Sequence, residues 1–185
     1  MSPRGVLEAA LEALGELVAD RGEAHVVVAI GGGALSLLGL MERATEDVDL
    51  VGVIKDGTLI PAQPLPTTLR DAVADIAALR NLQPKWMNGE PTSLLQRGLP
   101  EGFLARCERR QFGGLTVLLA SRFDQIHLKL YAVSGPHDKH YADLRRLQPT
   151  RDELTAAATW VRRHSVSEDV LRNALDSFGV TLDDV

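Results

Sequence analysis

The run Val26-Val27-Val28-Ala29-Ile30-Gly31-Gly32-Gly33-Ala34-Leu35, answered downstream by Arg43-Ala44-Thr45-Glu46-Asp47-Val48-Asp49-Leu50, decides how the chain is read. An apolar, β-branched strand enters a triple glycine and continues into a short apolar helical segment, Leu35 to Leu40. A second strand opens on two aspartates that flank one valine. Side chains alternate along a strand, so Asp47 and Asp49 face one way while Val48 and Leu50 face the core. Two carboxylates on one face repel unless a proton or a cation lies between them, and a pair of oxygen donors suits a hard divalent ion such as Mg²⁺. At a strand-to-helix turn, glycines let backbone N–H groups approach an anion. A phosphate cradle beside a paired-carboxylate metal site is the equipment of phosphoryl or nucleotidyl transfer.

Composition narrows the class further. The chain has 185 residues, enough for one domain with a substantial core, and its 45% hydrophobic and 24% charged content is that of a globular protein. The single cysteine, Cys107, excludes an internal disulfide and suits a reducing, cytoplasmic setting. No secretory leader is visible at the N-terminus, and no apolar run is long enough to span a membrane. A net charge of −5 argues against a broadly basic, nucleic-acid-coating surface, though not against a local basic groove.

Around the central stretch, Leu7, Leu11, Leu14 and Val18 predict an amphipathic helix over residues 3 to 20. Strands are expected at 26–30 and 48–54. Thr67-Thr68 is expected to cap a helix carrying Leu69, Val73, Ile76 and Leu79. Residues 84–102, punctuated by proline and glycine, predict a loop with one short helix. A hairpin is expected from Phe103–Gln111 and Leu115–Ala120 around Gly113-Gly114. Ser121 is expected to cap a helix with Phe123, Ile126, Leu130 and Val133 inward, and further helices are expected at 137–147, 151–163 and 167–178. The expected architecture is α+β, a small mixed sheet with flanking helices. The whole chain, 1–185, reads as a single domain with a sheet-containing core over about 24–120 and a helical C-terminal part over about 121–185.

Gly31-Gly32-x-Ala34-Leu35, Gly39, Arg43, Thr45 and Asp47-Val48-Asp49-Leu50 together resemble the signature of the polymerase-β-like nucleotidyltransferase superfamily. Within it the chain most resembles the minimal bacterial enzymes of the abortive-infection AbiEii and MenT toxin type. The resemblance implies the nucleotidyltransferase fold and Mg²⁺-dependent transfer of NMP from an NTP to an acceptor hydroxyl. The implied acceptor is a tRNA 3′ end, or a protein, and the implied partner is a cognate antitoxin. Asp47 and Asp49 would be catalytic and metal-binding, and Gly32, Gly33, Arg43 and Thr45 nucleotide-binding. His127-Leu128-Lys129-Leu130 matches the helix that supplies an active-site lysine in these enzymes, and Asp143 before Leu144 matches an accompanying aspartate.

Each of these residues also has a plainer reading. Lys129 shares the inward side of its helix with Ile126 and Val133, where a lysine can simply snorkel. Asp143 can pair with Arg146 or Lys139, and Arg43 with Glu42 or Glu46. The sequence departs from the superfamily pattern at two points. Thr116 to Ala120 offers no third carboxylate, which leaves Lys129 to stand where a second cation would otherwise act. Position 33 is glycine where related motifs often carry a hydroxyl. Arg106, Arg109 and Arg110 are the expected place for RNA backbone contacts, if the acceptor is RNA. His137-x-x-His140 alone does not make a zinc site, and no hydrolase triad is present. Two rival readings remain at this level. Gly31-x-Gly33-x-x-Ser36 approximates an NAD-type dinucleotide-binding fingerprint, which would require repeated parallel βαβ units. A non-catalytic, protein-binding member of the fold is the other.

Overall fold

The computed structural model describes every residue except Met1, Arg43, Ala44, Glu46, residues 134–137, Ser165, Asp183 and Asp184. The chain forms two compact units, Met1–Ala120 and Ser121–Val185.

In the first unit, helix α1 (Pro3–Asp20) begins with proline at its first turn and is capped by the Ser2 hydroxyl, which accepts from the Gly5 N–H. Leu7, Leu11, Leu14 and Val18 lie along one stripe and are buried, as their spacing requires. They pack in one cluster with Val27 and Ala29 of β1 (His25–Ile30), Leu50 and Val53 of β2 (Val48–Lys55) and Leu115, Val117 and Leu119 of β6 (Leu115–Leu119). Between β1 and β2 lies the short helix α2 (Gly31–Leu37). Asp56 and Gly57, both at positive φ, turn β2 back into β3 (Thr58–Pro61), the twist that favours a tight hairpin. Helix α3 (Thr67–Arg80) follows. Its N-cap is Pro66 with no side-chain cap, and Leu79 is 77% exposed although Leu69, Val73 and Ile76 are buried. The expected cap by the two threonines is therefore absent.

Residues 84–102 contain more order than expected. They hold a two-residue strand, β4 (Met87–Asn88), a 3₁₀ turn (Glu90–Ser93) and α4 (Leu94–Arg97). Phe103–Arg106 is a helical turn, α5, rather than the start of a strand. It opens after Gly102 at positive φ, so the hairpin strand β5 begins only at Glu108 and ends at Phe112. The sheet order is β3-β2-β1-β6-β5, with β4 also pairing β2. β1 and β2 run antiparallel and β1 and β6 parallel. A dinucleotide-binding βαβ unit needs its first two strands parallel, so the antiparallel β1–β2 pair removes that reading.

The second unit is helical: α6 (Arg122–Ala132), α7 (Lys139–Leu147), α8 (Arg151–Val161) and α9 (Glu168–Asp176). Ser121 caps α6 as expected, accepting from the Asp124 N–H, and Thr150 with Glu153 forms a reciprocal capping box on α8. Arg122 ties three helices together. It pairs with Glu153 of α8 and donates to the Leu147 carbonyl at the end of α7, 2.6 Å away. Burial raises the Glu153 carboxyl, but the Thr150 backbone N–H and then the Arg122 guanidinium outweigh it and hold the group below its usual range. His127 packs against Phe123, tilted, and Trp160, edge-on, with ring centroids 4.4 and 6.1 Å away.

Candidate active site

β1 delivers its chain to the glycine turn, and the turn meets the start of β2. Ile30 is the register partner of Asp49, so the first glycine sits beside that carboxylate. Gly31 adopts φ +75°, and a Cβ there would come within 3.0 Å of Asp49 Oδ2. The positive φ favours glycine at this position, and any Cβ would also make the Asp49 carboxylate give way. A Cβ on Gly33 would collide with the Asp47 carbonyl oxygen and lie 3.2 Å from Val48 Cα. Two of the three glycines are thus demanded by the close approach of α2 to β2. Gly33 does structural work whatever its N–H faces, and Gly32 lies half-buried between them.

Val48 and Leu50 are fully buried in the core, and Asp49 between them turns to the other side of the strand. Asp47 stands exposed one residue before the strand. Each carboxylate is held on one oxygen by a neutral donor. The buried Thr45 hydroxyl donates to Asp47 Oδ1 at 3.0 Å, and the Asn88 amide donates to Asp49 Oδ1 at 3.1 Å. Thr45 therefore meets an aspartate, and Arg43 lies outside the described residues. Among the described residues, the two carboxylates make a hard, oxygen-only donor set. It fits an ion such as Mg²⁺, which commonly takes one or two carboxylates and completes its shell with water and substrate phosphates. Among the described residues no group of three or more His, Cys, Asp or Glu is placed to hold a metal, and β6 carries no carboxylate.

Sequence reasoning missed Asn88. Its only local signal is an asparagine two residues after a tryptophan in a proline-bounded loop. Its position depends on Trp86, a fully buried residue whose Nε1 donates to the Val73 carbonyl at 3.1 Å. The Trp86 carbonyl in turn accepts the Val48 N–H at 2.6 Å, which lays Met87 and Asn88 alongside Val48 and Asp49.

In the second unit, Lys129 of α6 and Asp143 of α7 are brought together. Nζ donates to Asp143 Oδ2 at 2.8 Å, and the side chains are 6% and 0% exposed. Arg146 Nη1 stands 3.9 Å from the other carboxylate oxygen, so Arg146 is a second, looser cation. His140, one turn before Asp143, buries its Nδ1 without a hydrogen-bond partner among the described residues. Burial first and then the Lys129 charge push the His140 pKa below its usual 6.5, against the opposing charges of Asp138 and Asp143.

The expected arginine cluster is not one surface. Arg109 and Arg110 are neighbours on β5 and so point to opposite faces. Arg110 is half-buried, bonded through Nε to Glu108 Oε1 at 2.8 Å with Glu8 Oε1 3.8 Å from Nη1. Arg109 is exposed, with Gln111 and Thr116 oxygens 3.3 and 3.4 Å from Nη2, and Arg106 is exposed on α5.

A small mixed sheet with flanking helices, an α+β fold, carries this site, and the architecture is consistent with a nucleotidyltransferase. Residues 6–148, well over half of the chain, match the model of the DUF6036 family, described as a nucleotidyltransferase of unknown function. The chain belongs to that family, whose description supports nucleotidyl transfer as the general class of reaction. No curated protein and no solved structure is significantly similar to it. Among the described residues, no helix is long and apolar enough to cross a membrane.

Proposed function

We propose that the protein is a Mg²⁺-dependent nucleotidyltransferase with Asp47 and Asp49 as its metal ligands and catalytic carboxylates. The observation that carries this reading is the juxtaposition of Asp49 with the glycine turn, where Oδ2 lies 3.0 Å from the place a Gly31 Cβ would occupy. Anionic oxygen donors and the opening turn of α2 thus share one end of β1 and β2. Mg²⁺ held there would neutralise the triphosphate and stabilise the departing pyrophosphate. Gly32 and Gly33 offer N–H groups of the first helical turn, which have no intrahelical acceptor, to the phosphates. Arg43 adds a cation, and Thr45 orients Asp47. In the transfer, the acceptor oxygen bonds to the α-phosphorus, the bond from that phosphorus to the α,β-bridging oxygen breaks with its electrons going to pyrophosphate, and the acceptor hydroxyl's proton passes to solvent water.

The resemblance to the AbiEii and MenT type supports a finer reading. The protein acts in the cytoplasm as a toxin-like enzyme on tRNA 3′ ends, held in check by a cognate antitoxin. Lys129 serves as the active-site cation, with Asp143 orienting it.

Incubation with each α-labelled NTP, Mg²⁺ and total RNA tests the proposal. Label is expected in the tRNA band, lost on adding chelator. Asp49→Asn is expected to abolish incorporation while leaving the thermal midpoint close to wild type, since it removes ligand charge at almost constant volume. Incorporation that survives in Asp49→Asn sinks the site assignment. Label that enters protein instead of RNA moves the acceptor to the protein alternative.

A further inference from the structure

Asn88 is bound at both ends of its amide. Its Oδ1 accepts the Glu90 N–H at 3.0 Å, and its Nδ2 donates to Asp49 Oδ1 at 3.1 Å, with the Lys85 carbonyl 3.4 Å away. It is one half of a two-residue strand paired parallel to β2, in direct register with Asp49. A strand of that length adds little to the sheet by itself. What it does is place one amide against one carboxylate, with a fully buried tryptophan anchoring the chain two residues earlier.

The torsion that turns a carboxylate about its Cβ–Cγ bond is soft, so an aspartate alone presents its two oxygens in a broad range of orientations. One donor at Oδ1 narrows that range and keeps Oδ2 turned to the glycine turn, where it lies in this structure. An aspartate at position 88 would set a second acceptor against Oδ1, which costs repulsion or a shared proton. An asparagine fixes the oxygen without adding charge. We infer that Asn88 is a positioning residue for Asp49, holding the rotation of its carboxylate for the divalent cation. The inference rests on the reading of Asp49 as a metal ligand.

Mn²⁺ binding to the full chain, read from the EPR signal of free Mn²⁺, tests this without any turnover. Asn88→Leu keeps the size of the side chain and removes the donor, and Asn88→Ala repeats the comparison should the leucine fail to fold. Loss of a hydrogen bond to a ligating group typically weakens metal affinity 10–100-fold, so the Mn²⁺ dissociation constant is expected to rise by about that factor. The unfolding midpoint in chelator is expected to stay near wild type, which separates positioning from a general loss of order in the 84–93 segment. In an Asp49→Asn background the Asn88 substitution is expected to add no further loss of Mn²⁺ affinity. Wild-type affinity in both Asn88 variants, or an undiminished further loss in the Asp49→Asn background, overturns the role of Asn88. Failure of the wild type to bind Mn²⁺, or full binding by Asp49→Asn, overturns the metal-site reading and the inference with it.

Discussion

Single side chains here show how burial decides what a charge can do. Lys129 and Asp143 are almost wholly withdrawn from water, and each depends on the other to offset the cost of that withdrawal. Lys129→Met leaves Asp143 without its closest cation, which in comparable buried pairs costs about 3–5 kcal/mol. Replacing both, as Lys129→Met with Asp143→Leu, removes the stranded charge and is expected to restore most of that stability. The double variant then separates two roles. If Lys129 is the active-site cation, urea midpoints recover and NMP transfer does not. A double variant that recovers both would make the pair purely structural. His140 offers a second test at this scale, through pH. Its folded pKa lies below the unfolded value of about 6.5, so the unfolded chain binds a proton that the native state refuses. Stability is therefore unaffected above that value and falls as the pH drops from about 6.5 towards the lowered folded pKa. His140→Gln is expected to flatten this part of the profile, measured as the difference in unfolding free energy between pH 7.5 and pH 5. An unchanged slope would mean that another group carries the acid sensitivity.

Elements that declare themselves locally were legible in the sequence. The leucine stripe of α1, the β-branched run of β1 and the Ser121 cap each carry their own signal within a few residues. The glycine turn after β1 was legible for the same reason, and so was the burial of Val48 and Leu50 on either side of Asp49. What escaped is held by distant partners. β4 exists because the Trp86 ring is buried against α3 and its carbonyl meets the Val48 N–H, 38 residues earlier in the chain. No period or turn residue within 84–88 encodes that pairing, and Asn88 was missed with it. Phe103–Arg106 read as strand because aromatic and apolar residues suit either state, and a single helical turn is too short for its period to appear. The part played by Trp86 gives the prediction for this level. Trp86→Phe keeps most of the buried ring but leaves the Val73 carbonyl without the indole donor, a loss of about 1–3 kcal/mol. Because β4 then loosens beside Asp49, transfer is expected to fall as well, with KM for RNA unchanged. Differential scanning calorimetry and initial rates on one preparation check both. A variant that loses stability at full turnover would detach β4 from the active site.

At the level of the whole molecule, charge constrains how a polyanion could be engaged. Twenty lysines and arginines face twenty-five aspartates and glutamates, so an RNA acceptor must find a local cationic surface against an unfavourable net field. The alternation of β5 divides the arginines that the sequence places together. Arg110 is committed to Glu108 with Glu8 near, whereas Arg109 and Arg106 are exposed. Neutralising a phosphate releases condensed counterions, and each such contact contributes about 0.7–0.9 to the slope of log affinity against log salt. If the acceptor is tRNA and these arginines meet it, Arg109→Gln is expected to raise KM for RNA and to lower that slope by about one contact. Arg106→Gln should do the same independently. Arg110→Gln is expected to leave RNA binding unchanged and to cost at most about 1 kcal/mol of stability, because its partners are the two glutamates. KM for the NTP should be the same in all three, measured at saturating RNA over 50 to about 200 mM salt. A slope that moves with Arg110 but not Arg109 would place the RNA on the α1 side of β5. A slope indifferent to all three would remove this strand and α5 from the acceptor's path.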